Sequence, residues 1–196
     1  MIWYFIRHGE IQSNVDKVYA GWSDEALTAR GVRQAEKAGE ILKDRGIDKI
    51  YCSPLKRAVQ TAEIIGKSID LVPVLDKHFK EMRMGPWEGL SEDQIEMKFP
   101  KEWRIWNTRP AKLKLDGRET LKELQGRVIE GIKRQRRSEV GGQRSGKVVV
   151  VTHVAIIRVL KLYTEGRDLN EYKKVPVPGN GEVFQIAPQI TQIGTD

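Results

Sequence analysis

Short continuous apolar runs alternate along the chain with segments whose apolar residues recur at helical spacing. The runs IWYFI (2–6) and KVVVV (147–151) are short enough to be buried strands. Further strands are predicted at IDKIYCS (47–53), at EVFQIA (182–187) and, more weakly, at LVPVL (71–75), where Pro73 suits a sheet edge. The pattern therefore predicts five strands separated by helical segments.

The helical segments are marked by their apolar stripes and their boundary residues. A helix over 29–46 is ended by Gly46, and Pro54 is the expected first residue of the next helix. The others are short helices over 91–107 broken by Pro100, a long amphipathic helix through Leu121, Leu124, Val128 and Ile132, and a buried helix over 154–163. A loose tail is expected over 188–196.

Strands that alternate with helices favour an α/β fold with a mostly parallel sheet covered on both faces, a three-layer α/β/α sandwich. The 196 residues suffice for one domain with a sizeable core. We therefore expect a single domain over 1–196 with a lid-like insertion around 78–118.

Composition and charge narrow the classes of protein. The longest apolar stretch, 148–162, is interrupted by His153, Arg158 and Lys161, so no membrane span is predicted. MIWYFI lacks the features of a signal peptide, and a single cysteine, Cys52, excludes an internal disulfide framework and a multi-cysteine zinc site. We expect a cytoplasmic protein. The net charge of +7 favours anionic partners without choosing among phosphate metabolites, nucleic acid and acidic lipid.

Polar residues follow three of the predicted strands at the point where each strand ends. They are Arg7 and His8, then Ser53 and Arg57, then Thr152 and His153. Ligands of parallel α/β sheets bind outside the carboxyl ends of the strands. Taken alone, each residue is more often structural or solvated, but together they predict an anion site that suits a phosphoryl group.

Five ordered motifs over residues 2–160 resemble the histidine phosphatase superfamily, the branch of phosphoglycerate mutases and small-molecule phosphatases. The motifs are RHGE (7–10) with Asn14, GWSDEALTARGVRQA (21–35), CSPLKRAVQTA (52–62), KEMRMGPWEG (80–89) and VVVVTHVAIIR (148–158). The resemblance implies a phosphoglycerate mutase-like fold and a phosphohistidine mechanism.

The resemblance also implies roles for single residues. His8 is the expected nucleophile, and Glu81 the acid that protonates the leaving oxygen and then the base that activates water. Arg7 and Arg57 are expected to bind the phosphoryl oxygens, helped by Asn14 and His153. No step needs a metal or another cofactor, and we expect none. His78 matches no motif and is interpreted as structural.

Two residues depart from the family pattern. Ile11 stands where a small polar residue is usual, and Val154 where glycine is usual. Both are expected beside the pocket, where they would make it tighter or more apolar and so affect the choice of substrate. In the segment 100–118, Trp103, Trp106, Arg104, Arg109 and Lys112 either contact the substrate or are packed tryptophans with solvated charges.

Several functions remain open from the sequence. The first hypothesis is a metal-independent phosphatase for small phosphate monoesters, and WEG (87–89) favours it over the second, a 2,3-bisphosphoglycerate-dependent phosphoglycerate mutase. A non-catalytic binder of phosphorylated ligands is the third, although the complete catalytic set argues against it.

The segment GGQRSGKV (141–148) resembles a nucleotide-binding P-loop. It lacks the hydroxyl residue after Lys147 and precedes a strand, so we interpret it as a surface turn.

The expected partner is therefore a small phosphorylated metabolite, with no membrane. A nucleic-acid partner is disfavoured because the positive net charge is the only feature of the sequence that supports it. The basic run KRQRR (133–137) is interpreted as the solvated end of a helix. A homodimer is kept open.

Overall fold

Five strands form one sheet, and each overlaps a segment where a strand is predicted. The computed structural model describes residues 2–137 and 146–186. The strands are β1 Ile2–Arg7, β2 Lys49–Cys52, β3 Val74–Leu75, β4 Lys147–Thr152 and β5 Val183–Gln185. Their order is β3-β2-β4-β1-β5, and β5 alone among these strands runs antiparallel to its neighbour. The strongest apolar runs, β1 and β4, lie side by side within the sheet, as buried parallel strands should.

Helices cover both faces of this sheet. They are α1 Gln12–Val15, α2 Ala29–Leu42, α3 Lys56–Ile69, α4 Glu92–Lys98, α5 Pro100–Thr108, α6 Leu121–Arg137 and α7 Val154–Thr164. Short 3-10 helices lie at Lys77–Phe79, Gly85–Trp87, Pro110–Lys112 and Leu169–Lys174.

Alternate residues of the strands supply the two halves of the core. Tyr4 and Ile6 of β1 pack with α2 and α3, whereas Trp3 and Phe5 pack with α6 and α7. Side chains of successive strand residues point to opposite faces, so one strand contributes to both layers of helices. The predicted three-layer α/β/α sandwich with a mostly parallel sheet is confirmed.

The element boundaries differ from the predictions in places. Pro54 is not the first residue of α3: residues 54 and 55 form a bend, and the helix starts at Lys56 with Leu55 at its N-cap. The chain must turn sharply after β2 before it can enter the helix, and Pro54 lies in that turn. The edge position expected for LVPVL is correct, because β3 lies at one edge of the sheet.

Some predictions fall wholly or partly outside the described residues. The loose tail predicted over 188–196 lies wholly outside them, and the surface turn predicted over 141–148 lies mostly outside them. Within the described ranges, no helix is long and apolar enough to cross a membrane.

Candidate active site

The register of β1 and β4 places the two histidines next to each other. Arg7 pairs with Thr152, and the backbone N–H of His8 donates to the carbonyl of Thr152 at 2.9 Å. The next residues, His8 and His153, therefore leave the sheet together, with ring centroids 5.1 Å apart. The convergence expected from the strand ends is present in the fold.

The hydrogen bond of the His8 ring fixes its tautomer. Nδ1 lies 2.7 Å from the carbonyl oxygen of Gly9, which can only accept, so Nδ1 carries the proton. Burial, and then the charges of Arg57 and Arg7, hold the pKa of His8 well below its usual value. The ring is consequently neutral, and Nε2 keeps the lone pair that a nucleophile needs.

Gly9 is required by a close approach of two backbone segments. A Cβ at Gly9 would lie 2.3 Å from the carbonyl oxygen of Gly31 in the first turns of α2. The Gly9 N–H also donates to Thr61 Oγ1 at 3.0 Å. The segment after β1 is thus held on both sides, which fixes the carbonyl that orients His8.

Arg57 is almost fully buried, at 1% exposure, and is held by a neighbouring loop. Its Nη1 donates to the carbonyl of Ser23 at 2.7 Å, and its Nη2 to the carbonyl of Gly21 at 2.6 Å. Gly21 has a positive φ of 50°, and a Cβ there would lie 2.4 Å from the Glu88 carboxylate. Two carbonyls therefore fix the orientation of Arg57 before any ligand arrives.

Three buried side-chain nitrogens around the two histidines lack partners within the described part of the chain. They belong to Arg7 Nε, Arg57 Nε and His153 Nδ1. Buried donors are normally paired, because leaving one unsatisfied costs about 1–3 kcal/mol. Two unpartnered donors on cations in one place are what a site for an oxyanion requires.

The orientation of the His153 ring follows from Ser53. The Ser53 hydroxyl oxygen accepts the backbone N–H of Leu55 at 3.3 Å and lies 2.8 Å from His153 Nε2. Burial, with the charge of Arg57, lowers the pKa of His153 well below its usual value, so the ring is neutral. The Ser53 hydroxyl therefore orients the ring through Nε2, and Nδ1 has no partner within the described part of the chain.

A cavity of about 760 Å³ opens at this edge of the sheet. Five of the six predicted site residues line it: Arg7, His8, Asn14, Arg57 and Glu81. The sixth, His153, is fully buried against the His8 ring. The cavity thus brings together the residues selected from separate motifs.

Asn180, which the sequence did not single out, organises one side of the cavity. Its Nδ2 donates to the carbonyl of His8 at 2.9 Å and to Asn14 Oδ1 at 3.0 Å. Because Asn14 Oδ1 also accepts the Ile11 N–H, the Asn14 amide is oriented with its NH₂ group available to a ligand. Asn180 lies in the turn before β5, which no motif covers.

Two hydrogen bonds hold Glu81 at the edge of the same cavity. Its Oε1 accepts the N–H of Met82 at 2.8 Å, and its carbonyl accepts the indole N–H of Trp22 at 2.7 Å. Burial raises the pKa of Glu81 above the usual glutamate range, and this outweighs the opposing charges of Arg57 and Arg7. The sequence could not decide that balance.

Arg127 fastens the segment that carries Glu81, and sequence reasoning missed it. Its guanidinium donates to the carbonyls of His78 and Lys80 at 2.8 Å each and to that of Glu81 at 3.3 Å. It also forms a bidentate pair with Glu119, with both N···O distances 2.8 Å. A signal was present in the sequence: Arg127 falls between Leu124 and Val128, on the apolar face of α6.

Replacing Arg127 with lysine is expected to lower kcat about tenfold for alkyl phosphates and to change KM little. A lysine cannot satisfy three carbonyls and a bidentate carboxylate at once, so Glu81 loses its fixed position. Steady-state kinetics with glycerol 3-phosphate checks this. Arg134→Lys, an exposed position on the same helix, is the matched control. A loss confined to KM, or an equal loss in the control, would contradict the assigned role.

The two departures from the family pattern have different positions. Val154 lines the cavity, as expected. Ile11 does not: it is fully buried, precedes α1 and forms an isolated bridge with Leu27. The expectation that Ile11 makes the pocket more apolar is therefore wrong, because its side chain belongs to the core.

The tryptophans of α5 are packed. Trp103 and Trp106 meet the Trp87 ring edge-on, at centroid distances of 5.9 and 6.1 Å, and Trp106 also lines the cavity. Arg104, Arg109 and Lys112 are exposed and do not line it.

His78 has a structural role, because its Nδ1 lies 2.6 Å from Asp76 Oδ1.

Comparison with known proteins agrees with this fold. The protein is an α/β protein with two neutral histidines at the carboxyl edge of its sheet. The model of the histidine phosphatase superfamily (branch 1) matches residues 3–192, and the chain belongs to that family.

Relatives with both activities are found. The chain is 31% identical to phosphoserine phosphatase 1 of Hydrogenobacter thermophilus, over 85% of this chain and 77% of that protein. It is 30% identical to a 2,3-bisphosphoglycerate-dependent phosphoglycerate mutase of Nitrosococcus oceani, over 92% and 88% of the two chains. A mycobacterial glucosyl-3-phosphoglycerate phosphatase solved with VO3 superposes with a TM-score of 0.85 at 26% identity, over 95% of this chain and 92% of that one.

Proposed function

We propose that this protein is a metal-independent phosphatase that hydrolyses small phosphate monoesters through a phosphohistidine on His8. One observation carries the proposal: a neutral histidine with its tautomer fixed by Gly9 and a carboxyl with a raised pKa line the same cavity. The first is ready to act as a nucleophile and the second as an acid.

The first half-reaction forms a P–N bond and breaks the ester P–O bond. The lone pair of His8 Nε2 attacks phosphorus while the Glu81 carboxyl gives its proton to the leaving oxygen. Arg7 and Arg57 stabilise the negative charge on the phosphoryl oxygens, with Asn14 and His153 as further hydrogen-bond donors. These groups fill the charge-neutralising role that a metal has in other phosphoryl-transfer sites.

The second half-reaction returns the site to its starting state. The Glu81 carboxylate takes a proton from water, the water oxygen attacks phosphorus, and the P–N bond breaks. His8 leaves as a neutral ring with its Nε2 lone pair restored, and inorganic phosphate is the product.

A mutase is the second candidate, and the 30% identity to the phosphoglycerate mutase of Nitrosococcus oceani favours it. In a mutase the phosphoryl group on His8 returns to the bound substrate instead of passing to water. The same residues serve both reactions, so the first half-reaction does not distinguish them.

The test is a panel of phosphate esters, including 3-phosphoglycerate with and without 2,3-bisphosphoglycerate, in the presence of EDTA. Release of inorganic phosphate is expected. Isomerisation of 3-phosphoglycerate without net release would replace the phosphatase proposal by the mutase. Activity that is lost on chelation and restored by an added metal would overturn the metal-independent mechanism. Within the described residues, no group of three or more His, Cys, Asp or Glu side chains could hold a metal ion.

A further inference from the structure

The loop over residues 20–25, between α1 and α2, contacts both the phosphoryl-binding side and the acid side of the site. Two carbonyls of this loop accept the Arg57 guanidinium, at 2.6 and 2.7 Å. The residue between these carbonyls is Trp22, and its indole N–H donates to the carbonyl of Glu81 at 2.7 Å. Neighbouring residues of one loop therefore hold the proposed ligand of the phosphoryl group and the proposed acid.

Trp22 has an unusual environment for a tryptophan. Its side chain is 39% exposed, belongs to neither half of the described core and does not line the cavity. Its contacts are instead with the segment that carries Glu81. Lys80 Nζ lies 3.4 Å from the centroid of the ring, and the Trp22 backbone N–H donates to Glu88 Oε1 at 3.1 Å. Core packing does not explain this tryptophan, whereas its attachment to the Glu81 segment does.

The far end of loop 20–25 is anchored by Glu25. Its Oε1 accepts the hydroxyls of Ser13 and Ser23 at 2.5 and 2.6 Å, and its Oε2 accepts the Ser13 N–H at 2.9 Å. Three hydrogen bonds to one carboxylate hold the loop against α1, the helix that carries Asn14. The loop is thus fixed to the phosphoryl-binding side of the site, and so is the donor that it presents to the acid.

The indole of Trp22 holds the peptide group that orients the Glu81 carboxyl. The carbonyl of Glu81 and the N–H of Met82 belong to one peptide unit, and that N–H donates to Glu81 Oε1 at 2.8 Å. Because a peptide unit is planar, a donor that fixes its carbonyl also sets the direction of its N–H. Arg127 reaches the same carbonyl at 3.3 Å, against 2.7 Å for the indole, so Trp22 makes the shorter bond.

We infer that Trp22 is a positioning residue whose indole N–H fixes the carboxyl of Glu81 relative to a phosphoryl group bound at Arg57. This inference rests on the proposed function, because it concerns the acid step of the same site. A general acid must lie within hydrogen-bonding distance of the leaving oxygen, and a small misplacement slows the chemical step more than it weakens binding.

Trp22→Phe removes the donor and keeps an aromatic ring. In single-turnover experiments, phosphoenzyme formation from glycerol 3-phosphate is expected to slow about tenfold, because its leaving oxygen needs the proton of a well-placed acid. With p-nitrophenyl phosphate, whose leaving group departs without that proton, the rate is expected to stay within about twofold of the wild type. The KM values for both esters are expected to change little.

Arg83→Gln is the matched control for this variant. It removes an exposed cation whose Cζ lies 5.8 Å from the centroid of the same ring, and it leaves the indole N–H in place. The control is expected to keep the wild-type ratio of the two rates. Losses in Trp22→Phe that are equal for the two esters, or a ratio that this variant leaves unchanged, would overturn the positioning role.

Hydrogen exchange of the indole tests the same link without catalysis. The chain has five tryptophans, so the Trp22 signal is the indole resonance that is missing from the NMR spectrum of Trp22→Phe. In the wild type it is expected to exchange at least about tenfold more slowly than in free tryptophan, because its hydrogen is bonded to the Glu81 carbonyl. Arg57→Lys loses the two-pronged contact with loop 20–25, so exchange is expected to be faster in that variant.

The two kinds of measurement separate a failure of this inference from a failure of the catalytic proposal. If neither ester is turned over but both exchange results are found, the phosphatase proposal fails and the link through Trp22 stands. If the esters are turned over but the indole exchanges as fast as free tryptophan, or no faster in Arg57→Lys than in the wild type, the link is overturned and the phosphatase proposal stands.

Discussion

Replacement of His8 with alanine is expected to reduce turnover by on the order of 10⁴-fold or more, because the described cavity offers no second nucleophile of the same kind. The ring of His153 is fully buried behind that of His8, and its Nε2 is occupied by Ser53. Neither the arginines nor Asn14 can form the covalent intermediate. Phosphate release from glycerol 3-phosphate and from p-nitrophenyl phosphate measures the loss.

The remaining histidine provides a matched control for this variant. His78 pairs with Asp76 and does not line the cavity, so His78→Gln is expected to keep wild-type activity. Equal losses in the two variants would show that a histidine outside the cavity matters as much as His8 does.

The same mechanism requires a phosphoryl group on His8 that can be isolated. Rapid mixing with a labelled ester, followed by an alkaline quench, is expected to trap an acid-labile phosphohistidine at residue 8. If label never accumulates on this residue under single-turnover conditions, water attacks the ester directly and the covalent mechanism is wrong for this protein.

Much of the fold follows from the sequence because its signals are local. The apolar runs of β1 and β4 and the stripes of α6 and α7 are set by burial, which acts through residue type and spacing. The placement of polar residues at strand ends then predicts a common edge, and the register of Arg7 with Thr152 provides it.

The parts that the sequence did not predict depend on contacts between distant segments. Arg127 reaches the carbonyls around Glu81 from a helix more than forty residues later, and Asn180 orients Asn14 from a separation of 166 residues. Ile11 was misplaced for the same reason, because its burial comes from packing that its neighbours in sequence do not reveal. The position of each of these side chains is known only once the sheet and its helices are assembled.

The pKa values at the site depend on such contacts as well. Two arginines beside a glutamate would by themselves keep the carboxyl ionised, yet burial raises the pKa of Glu81. Burial and the same arginines act together on His8 and lower its pKa. Phosphoenzyme formation should therefore slow as the pH rises through the pKa of Glu81 and also as it falls through the pKa of His8.

Glu81→Gln isolates the acid step. The variant is expected to form the phosphoenzyme at least about a hundredfold more slowly from glycerol 3-phosphate, whose leaving oxygen needs a proton. The loss should be much smaller with p-nitrophenyl phosphate, whose leaving group departs as a stable anion. Single-turnover bursts with the two esters measure the difference, and Glu88→Gln, a nearby carboxylate that does not line the cavity, is the control.

Stability and pH dependence sharpen the interpretation of this variant. Because the pKa of Glu81 is raised in the folded state, its ionisation opposes folding as the pH rises, so Glu81→Gln is expected to melt no lower than the wild type at neutral pH. Slow chemistry in a variant of intact stability then reports the lost proton. The fall of the phosphorylation rate towards alkaline pH should also disappear in Glu81→Gln, since no carboxyl remains to ionise. Equal losses with both esters, or an alkaline fall that persists in the variant, would mean that another group protonates the leaving oxygen.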